Sequence, residues 1–225
     1  MSGRRDHPPN IDRPDAGTAL MGRWYVDSPE HQAGAADALL AERSGWGWLR
    51  GLISISCFAS TDGKSVLTYS QWVDEASLKH FIAVERPSML RFVDERVPGR
   101  VERHGTIPYQ VYASTILRET RPAFDRVGIT VYETAGHDAQ RAFCDMVISV
   151  LEEGRPPGLI AAHLHVSLDG NRVLEYLEWV DQGAQDEFTM TSASREKLRM
   201  LARSPGVWLI EVGQFRFLSG VETVS

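Results

Sequence analysis

The chain has 225 residues, of which 43% are hydrophobic and 24% charged, with a net charge of −6. That composition fits one large or two small globular domains and excludes a disordered, collagenous or coiled-coil protein. The acidic balance leaves no basic face for nucleic acid, and no uncharged run, neither residues 51–61 nor the longer 104–117, reaches the ~18–20 apolar residues of a membrane helix.

Residues 1–17 are polar and rich in Pro and Asp, and are expected to form a mobile arm. Arg4 and Arg5 are followed by no apolar run, so no secretory leader is expected and the chain reads as cytoplasmic. A strand is expected over 20–26. Ser28 then caps a helix that has Pro29 and Glu30 in its first turn and runs to about Arg43. Two strand-like runs, 52–59 and 65–73, flank Asp62-Gly63, a strong hairpin signal. Asp74 caps a second helix whose apolar face carries Leu78, Phe81 and Ile82; a shorter helix follows over 88–95 and a closing strand over 106–114. Cys57 and Cys144 are too few for a disulfide framework or a thiolate zinc site and read as core thiols.

The same order then recurs. Sliding residues 51–81 by 107 onto 158–188 gives 13 identities in 31 positions without a gap, among them Gly51, Leu52, Ile53, Asp62, Gly63, Trp72, Val73, Asp74 and Phe81. Chance gives about two, so the chain is a tandem duplication. The second copy has a strand over 127–133, a helix with Phe143, Met146, Val147, Val150 and Leu151 on one face, a hairpin at Asp169-Gly170, a cap at Asp181, a helix over 195–203 and a last strand over 207–218. The expected bounds are 18–112 for the first repeat, 113–125 for a linker containing Arg118, Glu119, Arg121 and Pro122, 126–218 for the second repeat, and 219–225 for a tail. Strand–helix–hairpin–helix–strand makes an antiparallel four-stranded sheet with helices on one face. The fold class is therefore α+β: two ferredoxin-like repeats whose bare sheet faces cover one another, as a monomeric pseudo-dimer or within a homodimer.

Gly-Leu-Ile, a short strand, Asp-Gly, and a strand ending in Trp72-Val73-Asp74 or Trp179-Val180-Asp181, followed by a helix with His80-Phe81 or Phe188, resemble the antibiotic biosynthesis monooxygenase family of the dimeric α+β barrel superfamily. The resemblance covers both repeats and matches the tandem form of that family. It implies a substrate pocket between sheet and helices, beside the tryptophan. The family includes quinone-forming monooxygenases, haem-degrading enzymes and isomerases.

On that basis Trp72 and Trp179 are the first site candidates, able to stack on a flat aromatic, although a buried Trp also serves plain packing. With a two-residue turn at Asp169-Gly170, cross-strand partners sum to 339, so Ile160 opposes Trp179 and His163 opposes Tyr176. One face then carries Ile160, Ala162, Leu164, Val166, Val173, Glu175, Leu177 and Trp179, and it should pack on the helices. Glu175 on this apolar face is a candidate base; Thr68 holds that position in the first copy, where family members often have asparagine. Arg91 and Arg199, on the shorter helices, are candidate oxyanion donors. Phe188 and His80 complete the substrate-binding set. His163 and His165 share the other face of their strand and read as a polar network rather than a metal site.

No Gly-x-Gly-x-x-Gly loop or Walker loop is present. The leading expectation is a cofactor-independent monooxygenase that oxidises a polycyclic phenol of the polyketide anthrone type, with O2 as co-substrate and neither metal nor cofactor. A polyketide cyclase or isomerase, or a non-catalytic ligand-binding protein, would fit the same scaffold. The second copy carries more chemically useful residues and is the expected live half.

Overall fold

A computed structural model describes residues 2–45, 49–97, 99, 101–118 and 122–223. In chain order these form β1 (Ser2–Arg5), β2 (Thr18–Tyr25), α1 (Pro29–Gly45), β3 (Leu52–Ser60), β4 (Ser65–Trp72), α2 (Glu75–His80), a π turn (Phe81–Glu85) and α3 (Arg86–Asp94). They continue with β5 (Glu102–Ile116), β6 (Arg126–Thr134), α4 (His137–Gly154), β7 (Leu159–Ser167), β8 (Arg172–Trp179), α5 (Gln182–Phe188), α6 (Ser192–Leu201) and β9 (Val207–Thr223). The expected class, α+β with two tandem ferredoxin-like repeats, is the fold observed.

The chain divides into a first unit, residues 1–108 with 215–225, and a second, continuous unit, residues 109–214. Strand order is β1-β9-β3-β4-β2-β5 in the first and β5-β7-β8-β6-β9 in the second. Strands β5 and β9 thus give one half to each unit. The last half of β9 pairs with β3, from Ser54↔Glu222 to Ser60↔Phe215, and the last half of β5 pairs with β7, from Tyr109↔Ser167 to Ile116↔Ala161.

Several expectations change here. Residues 2–5 form a strand on β9, with Ser2↔Thr223 and Arg5↔Gly220, in place of a mobile arm. The buried Arg5 guanidinium donates to Glu222 at 2.8 Å and to Ser56 Oγ at 3.1 Å, and Ile11 is buried, so this segment has both apolar and polar reasons to dock. The expected linker begins inside β5, and the expected tail continues β9 to Thr223. Residues 119–121, including Glu119 and Arg121 of that linker, lie outside the described residues.

The hairpins form as the Asp-Gly signals require. Gly63 and Gly170 sit at φ +76° and +80°, a region where a Cβ is strained, and His163↔Tyr176 and Leu164↔Glu175 keep the expected register. Beyond Ala161 the register slips: Leu159, not Ile160, faces Trp179, and Leu52 faces Trp72 in the first unit. A β-bulge at Ile160, repeated at Ile53, inserts one residue and reverses the alternation after it. Leu159 and Leu52 therefore pack under the helices, and Ile160 and Ile53 do not.

The helices start as read. The Asp74 carboxylate accepts from Ser77 N at 2.7 Å and that of Asp181 from Ala184 N at 2.8 Å, each satisfying one of the four bare amides of a helix start. Each unit buries its own apolar core between helices and sheet. In the first unit it includes Leu39, Leu52, Val66, Trp72 and Val93, and in the second Phe143, Val147, Leu164, Val173 and Trp179. Cys57 and Cys144 lie within these cores as free thiols, and burial pushes both thiols up to about 12.

Candidate active site

Alternation along β8 sends Glu175, Leu177 and Trp179 to one face, toward α5 and α6. Next to β8 runs β6, with Gly128 opposite Leu177 and Thr130 opposite Glu175. Gly128 leaves a gap there: a Cβ at this position would lie 2.9 Å from Gln185 Nε2 and 3.2 Å from Trp179 Nε1. The gap opens into a cavity of about 240 Å³, approaching the ~300 Å³ at which pockets for drug-sized ligands begin. Its walls include Tyr132, Leu177, Trp179, Gln185, Phe188, Ser194, Lys197 and Leu201. Leu198, Leu209 and Val212 also line it and are 55%, 46% and 63% exposed, so its mouth is apolar and open to solvent.

Trp179 and Phe188 form the aromatic wall, with ring centroids 5.1 Å apart. Both Trp179 Nε1 and Gln185 Oε1 are buried and have no hydrogen-bond partner among the described residues. A buried polar atom left unpaired costs roughly 1–3 kcal/mol. Both belong to side chains that line the same cavity.

Glu175 is fully buried, but it is not a wall of the cavity. Its two oxygens accept from Lys197 Nζ at 3.0 and 2.9 Å, and Oε2 also accepts from the Tyr132 hydroxyl at 3.1 Å. Lys197 does line the cavity, with its Nζ 5.3 Å from the centre of the Phe188 ring. Burial, then the Glu175 charge, pushes the Tyr132 phenol well up, so it stays a donor. The candidate base is thus held behind a lysine. Lys197 was hidden in the sequence among the charged Arg195, Glu196 and Arg199 of a short amphipathic helix. The usable signal was its spacing: Ala193, Lys197 and Leu201 fall four apart on one helical face, aimed at the strand whose apolar face carries Glu175.

Of the other candidates, Phe188 takes its place in the wall. Arg199 does not; its side chain is 66% exposed and pairs with Glu196 at 3.0 Å. Arg91 is exposed on α3, and His80 is 61% exposed, 3.3 Å from Glu85. All three sit on the outer faces of short helices, whose buried positions go to Leu78 in α2, Met89 and Val93 in α3, and Ala193, Ser194 and Lys197 in α6.

The first unit has closed the equivalent space. Trp72 packs on Phe81 at 4.8 Å and donates its indole N–H to Ser70 Oγ at 2.9 Å, while Thr68 donates to Gly22 O at 3.2 Å. The remaining cavity, between Trp24, Trp72, Phe81 and Met89, is about 30 Å³, the volume of one water. By the 107-residue offset Thr68 holds the place of Glu175, and Met89 lines this small cavity as Lys197 lines the larger one.

On the opposite face of β7 and β8, His163, His165, Tyr176 and Glu178 are fully buried. His163 has Ser114 Oγ 2.8 Å from Nδ1 and Glu178 Oε1 3.4 Å from Nε2. This is the polar network read from the sequence. Among the described residues no three His, Cys, Asp or Glu side chains gather as a metal site, and no helix is long and apolar enough to cross a membrane.

No protein-family model matches the chain, and no curated protein does. Solved structures do. An anthrone oxidase-like protein superposes with a TM-score of 0.70 at 14% identity, over 92% of this chain and 93% of that one. A candidate monooxygenase from Fusobacterium nucleatum gives 0.60 at 9% identity, over 92% and 95%. The chain has the fold of these monooxygenase-like proteins. That fold does not fix one chemistry, since a heme-degrading enzyme from Listeria monocytogenes also matches, with a TM-score of 0.50 at 11% identity over 89% of this chain and 99% of that one.

Proposed function

We propose that the second unit is a monooxygenase site for a flat phenolic aromatic of the anthrone type, with O2 as co-substrate and the substrate itself as the source of electrons. The observation that carries this reading is the cavity: an aromatic wall of Trp179 and Phe188 beside two buried polar atoms, Trp179 Nε1 and Gln185 Oε1, that lack partners. A planar ring stacks on such a wall, a carbonyl oxygen accepts from the indole N–H, and a hydroxyl donates to the amide oxygen. The exposed apolar mouth accommodates the remaining rings of a polycycle. Likeness of fold to an anthrone oxidase-like protein supports the same reading.

The reaction balances without another redox partner. An anthrone methylene and O2 give a quinone carbonyl and water: two C–H bonds break, one C=O forms, and the second oxygen atom leaves as H2O. Deprotonation comes first, because the phenolate or enolate gives up an electron to O2 far more readily than the neutral phenol. The protein's task is to bind the ring in a dry site, promote that deprotonation and stabilise the resulting oxyanion.

Oxygen uptake by purified protein with a panel of anthrones and polyphenols tests the reading. The expected result is uptake above the spontaneous rate, one O2 consumed per quinone formed. Binding without uptake would replace the oxygenase with a cyclase or a carrier.

A further inference from the structure

The Lys197–Glu175 pair has a feature that packing alone does not require. Lys197 Nζ lies within hydrogen-bond distance of both Glu175 oxygens and also borders the cavity, whereas Glu175 touches the cavity nowhere. The pair is all but removed from water, with side-chain exposures of 11% and 0%. Isolated charges are expensive in such a place, so the site must stay near neutral in every state it visits.

We infer that Lys197 is the catalytic group that ionises the substrate, with Glu175 behind it as the final proton acceptor; the inference rests on the phenolic-substrate reading of this cavity. The phenol O–H breaks and its proton goes to Lys197 Nζ, as an Nζ–H bond to Glu175 breaks and the carboxyl O–H forms. Lys197 ends as an ammonium facing the phenolate, and Glu175 ends as a neutral acid. No electron moves, and the site holds one positive and one negative charge before and after. The Tyr132 hydroxyl, which donates to Glu175 Oε2, keeps the carboxyl from turning away. Glu175 is in this account a positioning and relay residue. The first unit, with Thr68 in the place of Glu175 and Met89 on its small cavity, shows no such pair among the described residues.

The test uses the whole chain under nitrogen, with 4-nitrophenol as the probe. Bound to the wild type, the probe is expected to show its phenolate band with an apparent pKa lowered by about 1–3 units, the effect of an opposite charge within ~4–6 Å. Difference infrared spectra are expected to show a protonated-carboxyl band on binding that Glu175→Gln lacks. The double variant Glu175→Thr/Lys197→Met takes the residue types of Thr68 and Met89 and leaves no lone buried charge; it is expected to fold and to bind the probe as neutral phenol. The inference is overturned if the wild type binds only the neutral probe, if the double variant ionises it equally, or if no carboxyl band appears. Ionisation without oxygen uptake from any anthrone would leave the relay standing and remove the oxygenase reading. Failure of 4-nitrophenol to bind at all would remove both.

Discussion

The Trp72 indole nitrogen donates to Ser70 Oγ at 2.9 Å. The residue two before Trp179 is Leu177, whose side chain has no oxygen to offer, and the second indole N–H has no partner among the described residues. Trp179→Phe keeps a ring and removes the donor. It is expected to lower kcat/KM by about five- to tenfold, since one hydrogen bond is worth ~1–1.5 kcal/mol, with little change in melting temperature. Trp72→Phe should leave turnover intact and cost about 1 kcal/mol in urea unfolding, because it strips a buried hydroxyl of its donor.

Gly128 supplies a second contrast. Its φ is not in the left-handed region, so Gly128→Ala strains no backbone; the new methyl enters the gap between Gln185 and Trp179. Ligand affinity is expected to fall severalfold while the protein stays folded, as isothermal titration would show. Gly22→Ala places its methyl 2.9 Å from Thr106 Cγ2 and 3.2 Å from Thr68 Oγ1 in the closed first unit, and should affect stability alone.

Breaking the Lys197–Glu175 pair one side at a time leaves a buried charge. Lys197→Met alone is expected to cost about 3–5 kcal/mol. Glu175→Thr/Lys197→Met removes both charges and should cost markedly less than the two single changes added together. A double-mutant cycle by urea unfolding reads the difference directly.

Acid sensitivity should come in part from the two hairpin turns. The Ser167 hydroxyl, 2.6 Å from Asp169, and the Asn171 N–H at 3.0 Å hold the Asp169 carboxyl below its usual value. Ser60, first, and then the Lys64 N–H act in the same way on Asp62. A carboxyl depressed in the folded state stabilises it above the unfolded pKa of about 3.9, and that contribution disappears as pH falls through the folded value. Asp169→Asn and Asp62→Asn should therefore lower the melting temperature near neutrality and flatten its decline below about pH 4, as a thermal scan across pH would record.

The duplication, both hairpins, both Asp caps and the helix-facing set from Ala162 to Trp179 were legible because each rests on local chemistry or on period-two alternation. The bulges at Ile53 and Ile160 were not. Leu and Ile are both apolar, so a one-residue insertion between them leaves no mark in the pattern. The division of β5 and β9 between units was equally hidden, since a long strand reads the same whichever neighbour each half meets. At the site, Trp179 and Phe188 stood out as aromatics at repeated positions. The arginines misled because a charge on a short helix is usually on its outer face, and theirs are; Lys197 was the exception, turned inward by a carboxylate one strand away.

The sharing of β9 also sets a timetable for synthesis. The second unit, residues 109–214, is synthesised in full before the first, which still lacks residues 215–225 at that point. At ~5–20 residues per second, the first unit's β3 waits several seconds or more with one edge open. The repeat made first is thus the last to finish folding.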